Sequence, residues 1–352
     1  MNRNLDRFLS PEIRNQIEVR YYARVSEQAR FEILARDPEF MQGFDKHVGL
    51  FSDHGVVHAR DVAQQILAVL QTAHGLLFPL RDPERFLRMQ GYGVLLAYLH
   101  DIGMIDFSAF GRAMHPEFAA QALFNGELDD LFDLIWRQNS GNLAWNLTAL
   151  ADSGVLGADP RMVLREMLSL SFCHSKSKAP ITLLANPGEL QRVARDTVAT
   201  NSHYLYLRQQ VEKFSKGDAR IPATIDQLTR ARDALAAYSG ERVNHRFADF
   251  YSDLSGDAST EPYSWLIAPE PALQALTQDV LDTIRTLRSA DALRQRGQVL
   301  KTSAHYEILV DNRSANAVYA LHLGSDRLFL LEIDEPIGAG EANVASSELD
   351  AQ

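Results

Sequence analysis

A single cysteine, Cys173, stands in the 352 residues of this chain, so an internal disulfide is excluded. That scarcity suits a reducing compartment, and a cytoplasmic location is the expectation. No run of apolar residues approaches the roughly 20 needed to cross a bilayer, so no membrane association is expected. The opening Met1-Asn2-Arg3-Asn4-Leu5-Asp6-Arg7 leads into no apolar stretch of the kind a secretory signal requires. Positive charge is also short: 35 Lys and Arg against 46 Asp and Glu leave a formal net charge of −11. Gripping a nucleic-acid polymer through its phosphates needs a basic stripe, and this chain has none. A single nucleotide needs only a few local cations, so that class survives. Neither an internal repeat nor a glycine-rich nucleotide-binding motif is present.

What the chain does have is a scattered set of histidines and aspartates in unusual surroundings. His100-Asp101 closes the run Gly93-Val94-Leu95-Leu96-Ala97-Tyr98-Leu99, which is apolar all round and reads as a buried helix. Gly103 breaks that helix two residues later. An ionised Asp and a His at the end of a buried helix are costly unless compensated, by a bound cation or by a cap and a hydrogen-bonded core His. His54 and His58 are spaced i, i+4 in Ser52-Asp53-His54-Gly55-Val56-Val57-His58, so both imidazoles fall on one helical face. Ser52 or Asp53 is the expected cap of that helix. His115 precedes Pro116, which suits the first turn of a helix and predicts that His115 sits at the helix mouth. His174 ends the mostly apolar segment 162–173, and Asp291 follows the inward stripe Val280, Ile284, Leu287. Taken singly, each of the last three is more often structural than functional.

All seven side chains offer imidazole nitrogen or carboxylate oxygen, and none offers thiolate. Such a set suits one or two octahedral divalent ions, Mn, Fe, Mg, Co or Ni, better than a structural zinc. Asp101, with two carboxylate oxygens, is the natural bridge between a pair. If only His58, His100, Asp101 and Asp291 bind, a single-ion site remains.

The ordered series His…His-Asp…His…His…Asp on successive helices resembles the HD-domain superfamily of metal-dependent phosphohydrolases, and in particular its two-metal branch, which includes the HD-GYP cyclic-dinucleotide phosphodiesterases. The resemblance covers residues from about 45 to 180 and 278 to 300. It makes His58 the first ligand, His100 and Asp101 the signature pair, Asp291 the closing ligand, and His115 and His174 the extra ligands of two-metal members. His54 stands where some members place a Glu. Asp101 and His115 are the residues expected to take a direct part in catalysis. Two departures stand out: Met104 occupies the place of the signature's lysine, and the His-His-Glu and Gly-Tyr-Pro segments are absent. Lys176 or Lys178 can replace the missing charge, although a solvated loop is the plainer reading. Arg60, Arg112, Arg294 and Arg296 are further cations close to the ligands in sequence.

The expected architecture is mainly α: an HD helical bundle with a helical insertion and a small C-terminal antiparallel β element. Residues 1–45 read as N-terminal helices starting at Ser10-Pro11-Glu12, 46–180 as the first part of the HD domain, and 276–300 as its closing helix. The insertion, 181–275, should hold helices at about 188–216 and 224–240, then a loop through Ser264, and is placed to form a lid or a homodimer contact. Segments 304–310, 317–323 and 327–333 read as strands within a meander at 301–337, and 338–352 as a disordered tail or linker. Trp136 and Trp145 read as core or as pocket lining, His305 and His322 as strand-face residues, and Cys173 as core. Three functions from different classes fit: a phosphohydrolase for a nucleotide or other small phosphate ester, a di-iron oxygenase of HD type, and a non-catalytic nucleotide sensor.

Overall fold

Short polar residues set where several helices start. Ser10, Asp82, Asp159 and Asn186 each accept a backbone N–H of the first turn, and each precedes a proline whose missing N–H costs nothing there. The computed structural model describes residues 5–22, 54–76, 82–104, 109–216, 225–252 and 261–296, followed by five strands. Its helices are α1 (Pro11–Ile17), α2 (Val56–Leu76), α3 (Pro83–Leu99), α4 (Ala109–Ala122), α5 (Asp129–Gln138), α6 (Leu143–Asp152) and α7 (Pro160–Ser169), then α8 (Pro187–Ala199), α9 (Ser202–Ser215), α10 (Ile225–Ala237), α11 (His245–Ser252) and α12 (Pro271–Arg296). The mainly α class is as expected.

The centre of the bundle is α3, buried on every side from Gly91 to Leu99. Ala59, Val62, Ala63, Ile66 and Leu70 of α2 and Val280, Leu281, Ile284 and Leu287 of α12 are buried in the same core. His58 of α2, His100 after α3 and Asp291 of α12 are brought together against that dry interior. Gly103 closes the turn after α3, and any side chain there would collide with the backbone of α4 at His115 and Ala119. The close approach carries α4 across the end of α3.

Several expectations need correction. Pro116 lies in the interior of α4, which starts at Ala109, because the helix takes in Phe110 and Met114 ahead of the proline. His115 is thus mid-helix, and Pro116 leaves the carbonyl of Arg112 without its usual helical donor. The helix expected over 188–216 is two helices, since Thr200 turns extended after Ala199 and Asn201 caps the next helix by accepting the His203 N–H. A further helix, α11, occupies part of the stretch read as loop. His174 ends a 3-10 turn, Leu170–His174, that continues α7. Trp145 is 70% exposed and packs into no core.

Beyond α12 the chain forms β1 (Leu300–Ser303), β2 (Tyr306–Val310), β3 (Val318–His322), β4 (Arg327–Ile333) and β5 (Val344–Asp350), paired antiparallel in sequence order. The expected strands correspond to β2, β3 and β4, and the stretch read as a disordered tail includes β5. The side chains of His305 and His322 lie outside the described residues, as do residues 23–53 of the expected N-terminal helices. Among the described residues, no helix is long and apolar enough to cross a membrane.

Candidate metal centre

Four helices and one 3-10 turn deliver seven side chains to one place. His54 precedes α2 and His58 lies in its first turn; His100 caps α3 and Asp101 follows; His115 comes from α4, His174 from the 3-10 turn and Asp291 from α12. Six of the seven residues are buried to 6% exposure or less, and His115, its side chain 12% exposed, is the most open.

Asp101 is the hub. Its Oδ2 lies 2.7 Å from His54 Nδ1, 3.1 Å from His100 Nε2 and 3.3 Å from His58 Nε2. Its Oδ1 looks the other way, 3.4 Å from His115 Nε2 and 3.6 Å from His174 Nε2. His58 Nε2 is also 3.4 Å from Asp291 Oδ1. The donor atoms form three overlapping groups that can hold a metal: His54–His58–Asp101, His58–His100–Asp291, and Asp101–His115–His174. All seven sequence candidates thus converge, and His54 falls in with His58 rather than with His115 and His174.

Local backbone fixes two of the tautomers. His100 Nδ1 donates to the Ala97 carbonyl at 2.9 Å, and His174 Nδ1 donates to the Ser171 carbonyl at 2.8 Å. Each ring therefore turns its Nε2 inward, the arrangement that backbone carbonyls impose on metal-binding histidines. His58 Nε2 lies 3.3 Å from His100 Nε2, and His115 Nε2 lies 3.2 Å from His174 Nε2. Lone pairs aimed at one another need a proton or a cation between them. Asp101 Oδ1, fully buried, accepts no hydrogen bond among the described residues. The residues present fit a divalent ion. His58 is the exception in its outer contacts, since its buried Nδ1 has no hydrogen-bond partner among the described residues.

Without an ion, protons do part of the balancing. Burial opposes charge on His58, but its bonds to Asp101 and Asp291 outweigh that and push it up to about 10. Burial raises the Asp101 carboxyl, yet His100 and His54 overcome it and hold it well below the usual carboxylate range. Burial, with His100 beside it, brings His174 down to about 3, so that ring stays neutral and ready to ligate.

Of the arginines near the ligands in sequence, the structure places one, and its partner lies outside the cluster. Arg60 gives its guanidinium to Glu18 through bonds of 2.8 and 2.6 Å. The side chains of Arg112, Arg294 and Arg296 lie outside the described residues. Lys178 does not stand in a solvated loop: its ammonium pairs with the buried Glu117 at 2.8 Å. Met104 is itself buried. Cys173 is fully buried and burial pushes its thiol up, which leaves it a core residue. Compared with protein-family models, with curated proteins and with solved structures, the chain shows no significant match.

Two polar features escaped the sequence reading. Arg288, one turn before Asp291 on α12, is buried and donates to the carbonyls of Cys173, at 3.3 Å, and Ala179. Glu166 is buried on α7 and accepts from Tyr251 Oη, the Tyr263 N–H and Trp265 Nε1. The inward stripe of Ile284, Leu287 and Asp291 could have flagged Arg288, which shares that face. Nothing local marks the partners of Glu166, which lie 85 to 99 residues away.

Proposed function

We propose that the chain is a metal-dependent phosphohydrolase of HD type that acts on a nucleotide or another small phosphate ester. The observation that carries this reading is the Asp101 carboxylate, with its two oxygens turned to separate histidine sets at 2.7 to 3.6 Å. His58, His100 and Asp291 would hold one ion and His115 and His174 the other, with Asp101 between them and His54 beside the first. A divalent pair supplies Lewis acidity toward a phosphoryl oxygen and a hydroxide from bound water near neutral pH.

The chain's own residues do the rest. The Ala97 and Ser171 carbonyls hold the His100 and His174 rings so that no reorientation accompanies binding. The core of α2, α3 and α12 keeps bulk water from the inner ligands, which strengthens every charge interaction at the site. His115, the most exposed ligand, marks the side on which substrate arrives. The net charge of −11 favours a small phosphate ester over a nucleic-acid polymer.

The test is a screen of mononucleotides, cyclic mono- and dinucleotides and a generic phosphodiester on Mn-loaded protein, with Asp101→Ala as control. Turnover that disappears in the control supports the proposal. A metal-loaded protein inactive on every phosphate ester overturns it; tight binding of one nucleotide would then point to a sensor, and oxygen uptake by the reduced iron form to an oxygenase.

A further inference from the structure

His174 is weakly anchored by secondary structure alone. It ends a 3-10 turn, whose hydrogen bonds are poorer than those of an α-helix, and the chain leaves it through Ser175–Lys178. The polar contacts of that short segment reach both neighbouring ligand helices. On one side, Arg288 of α12 donates to the carbonyls of Cys173 and Ala179, which bracket the segment. Asp291 lies one turn further along the same helix, so the guanidinium ties the His174 segment to the Asp291 helix. On the other side, Lys178 reaches α4. Its ammonium pairs with Glu117 Oε1 at 2.8 Å, lies 3.3 Å from Met114 Sδ and donates to Gln209 Oε1. Met114 and Glu117 flank the ligand His115 on α4, and Gln209 comes from α9 of the insertion and also donates to Glu117 at 3.4 Å.

Both cations are expensive where they stand. Arg288 is 7% exposed and has no carboxylate partner among the described residues, while the Lys178 and Glu117 side chains are 11% and 2% exposed. Buried charge of this kind is weak evidence for stability, since apolar side chains of similar size often serve as well. What apolar residues cannot do is grasp two carbonyls or a carboxylate at a fixed point. From this arrangement we infer that Arg288 and the Glu117–Lys178 pair are positioning residues that hold His174 in place beside Asp101 and His115. They thereby set how well the second ion binds, and Gln209 makes the insertion part of that grip. The inference rests on the metal-binding reading above and deepens it.

The test is Mn titration of wild type, Arg288→Met, Arg288→Lys, Lys178→Met and Glu117→Gln, followed by elemental analysis and electron paramagnetic resonance, with circular dichroism to confirm folding. Wild type should show the broad signal of a spin-coupled Mn pair. Arg288→Met and Lys178→Met should weaken the second ion by about tenfold or more, the scale of lost outer contacts at metal sites. The spectrum should then become that of isolated Mn, with the first ion retained. Arg288→Lys, which keeps a donor for one carbonyl, should recover part of the coupled signal. Should a Met variant fail to fold, Arg288→Lys and Glu117→Gln still decide the matter through the same spectra. Folded variants with a wild-type coupled signal and wild-type second-ion affinity would overturn this inference alone. A wild type that takes up no ion would overturn the metal reading itself.

Discussion

Asp101 and Glu166 are both buried carboxylates, 2% and 3% exposed, and they are opposites in every other respect. Glu166 is saturated: Tyr251 Oη at 2.6 Å, the Tyr263 N–H at 2.9 Å and Trp265 Nε1 at 2.8 Å all donate to it. Those donors come from α11 and from the segment before α12, so the carboxylate fastens the end of the insertion to α7. Asp101 faces imidazoles, two of them on rings whose protons are committed to backbone carbonyls, and one of its oxygens receives no hydrogen bond among the described residues. A buried carboxylate ringed by neutral donors is complete as a fold element. One with a bare oxygen facing two imidazole nitrogens has room for a cation.

The largest expected effect comes from deleting the hub. Asp101→Ala removes the charge and both bridging oxygens, and should weaken the first ion by at least about a hundredfold and abolish the second. Glu166→Ala should leave metal content unchanged. Elemental analysis and calorimetric titration check both. If Asp101→Ala keeps its metal, or Glu166→Ala loses it, the contrast between the two carboxylates collapses.

Next in size is stability. Glu166→Ala strands the indole N–H and the Tyr263 N–H in a dry interior, and should cost about 3 kcal/mol in denaturant or thermal unfolding. Glu166 also gives a pH signature. Burial outweighs its donors and pushes it up to about 7. A carboxyl raised in the folded state contributes stability that is fully present below its unfolded value near 4.5 and is lost as pH rises through 7. A shift of that size corresponds to about 3 kcal/mol. Unfolding curves from pH 4 to 8 should therefore show wild type losing stability relative to Glu166→Gln, which has no such titration. Parallel pH profiles would show that the donors win and that Glu166 stays ionised.

Protons distinguish the two sites once more. His58 is held near 10, so in the metal-free protein it carries a proton that an ion must displace. Its folded value exceeds its unfolded one, so the stability it contributes is whole below about pH 6.5 and lost as pH rises through 10. First-ion binding should release about one proton below that point, and affinity should rise up to about tenfold per pH unit toward it. Calorimetry in buffers of different ionisation enthalpy measures the release directly. Binding with no proton released would mean that His58 is neutral beforehand, and that its bonds to Asp101 and Asp291 are not those of an imidazolium.

Much of this site was legible because its chemistry is written in local context. An all-apolar run ending in His100-Asp101 and an inward stripe ending at Asp291 each point inward without reference to any other segment. The same periodicity marked α3 and α12. The i, i+4 spacing picked out His54 and His58 for a reason the structure overturns: α2 starts at Val56, so His54 precedes the helix and shares no helical face with His58. What failed depended on distance or on competing local signals. Pro116 favours a first turn, but apolar positions upstream carried α4 seven residues further back. Asn201 as a cap divided a helix that periodicity alone ran together. The grip of Lys178 on Glu117, and that of Arg288 on the Cys173 and Ala179 carbonyls, joins segments 61 and 109 to 115 residues apart. No local pattern encodes such pairs.

The smallest expected effect tests whether closeness in sequence or in space decides which cation matters. Arg60 is two residues from the ligand His58, but side chains at i and i+2 leave a helix on different faces. Its guanidinium is spent on Glu18, and its side chain is 49% exposed. The pair has its Arg60 end in solvent and its Glu18 end buried, and is worth on the order of 1 kcal/mol. Arg60→Ala should therefore shift the melting temperature by only a few degrees, on the order of 2 to 4 °C per kcal/mol for a chain of this size. It should leave metal affinity and the second-ion spectrum as in wild type, whereas Arg288→Met alters both. It should also leave the KM for any phosphate ester found unchanged. A tenfold rise in KM with metal content intact would place Arg60 against the substrate, and would mean that its bond to Glu18 gives way when the site fills.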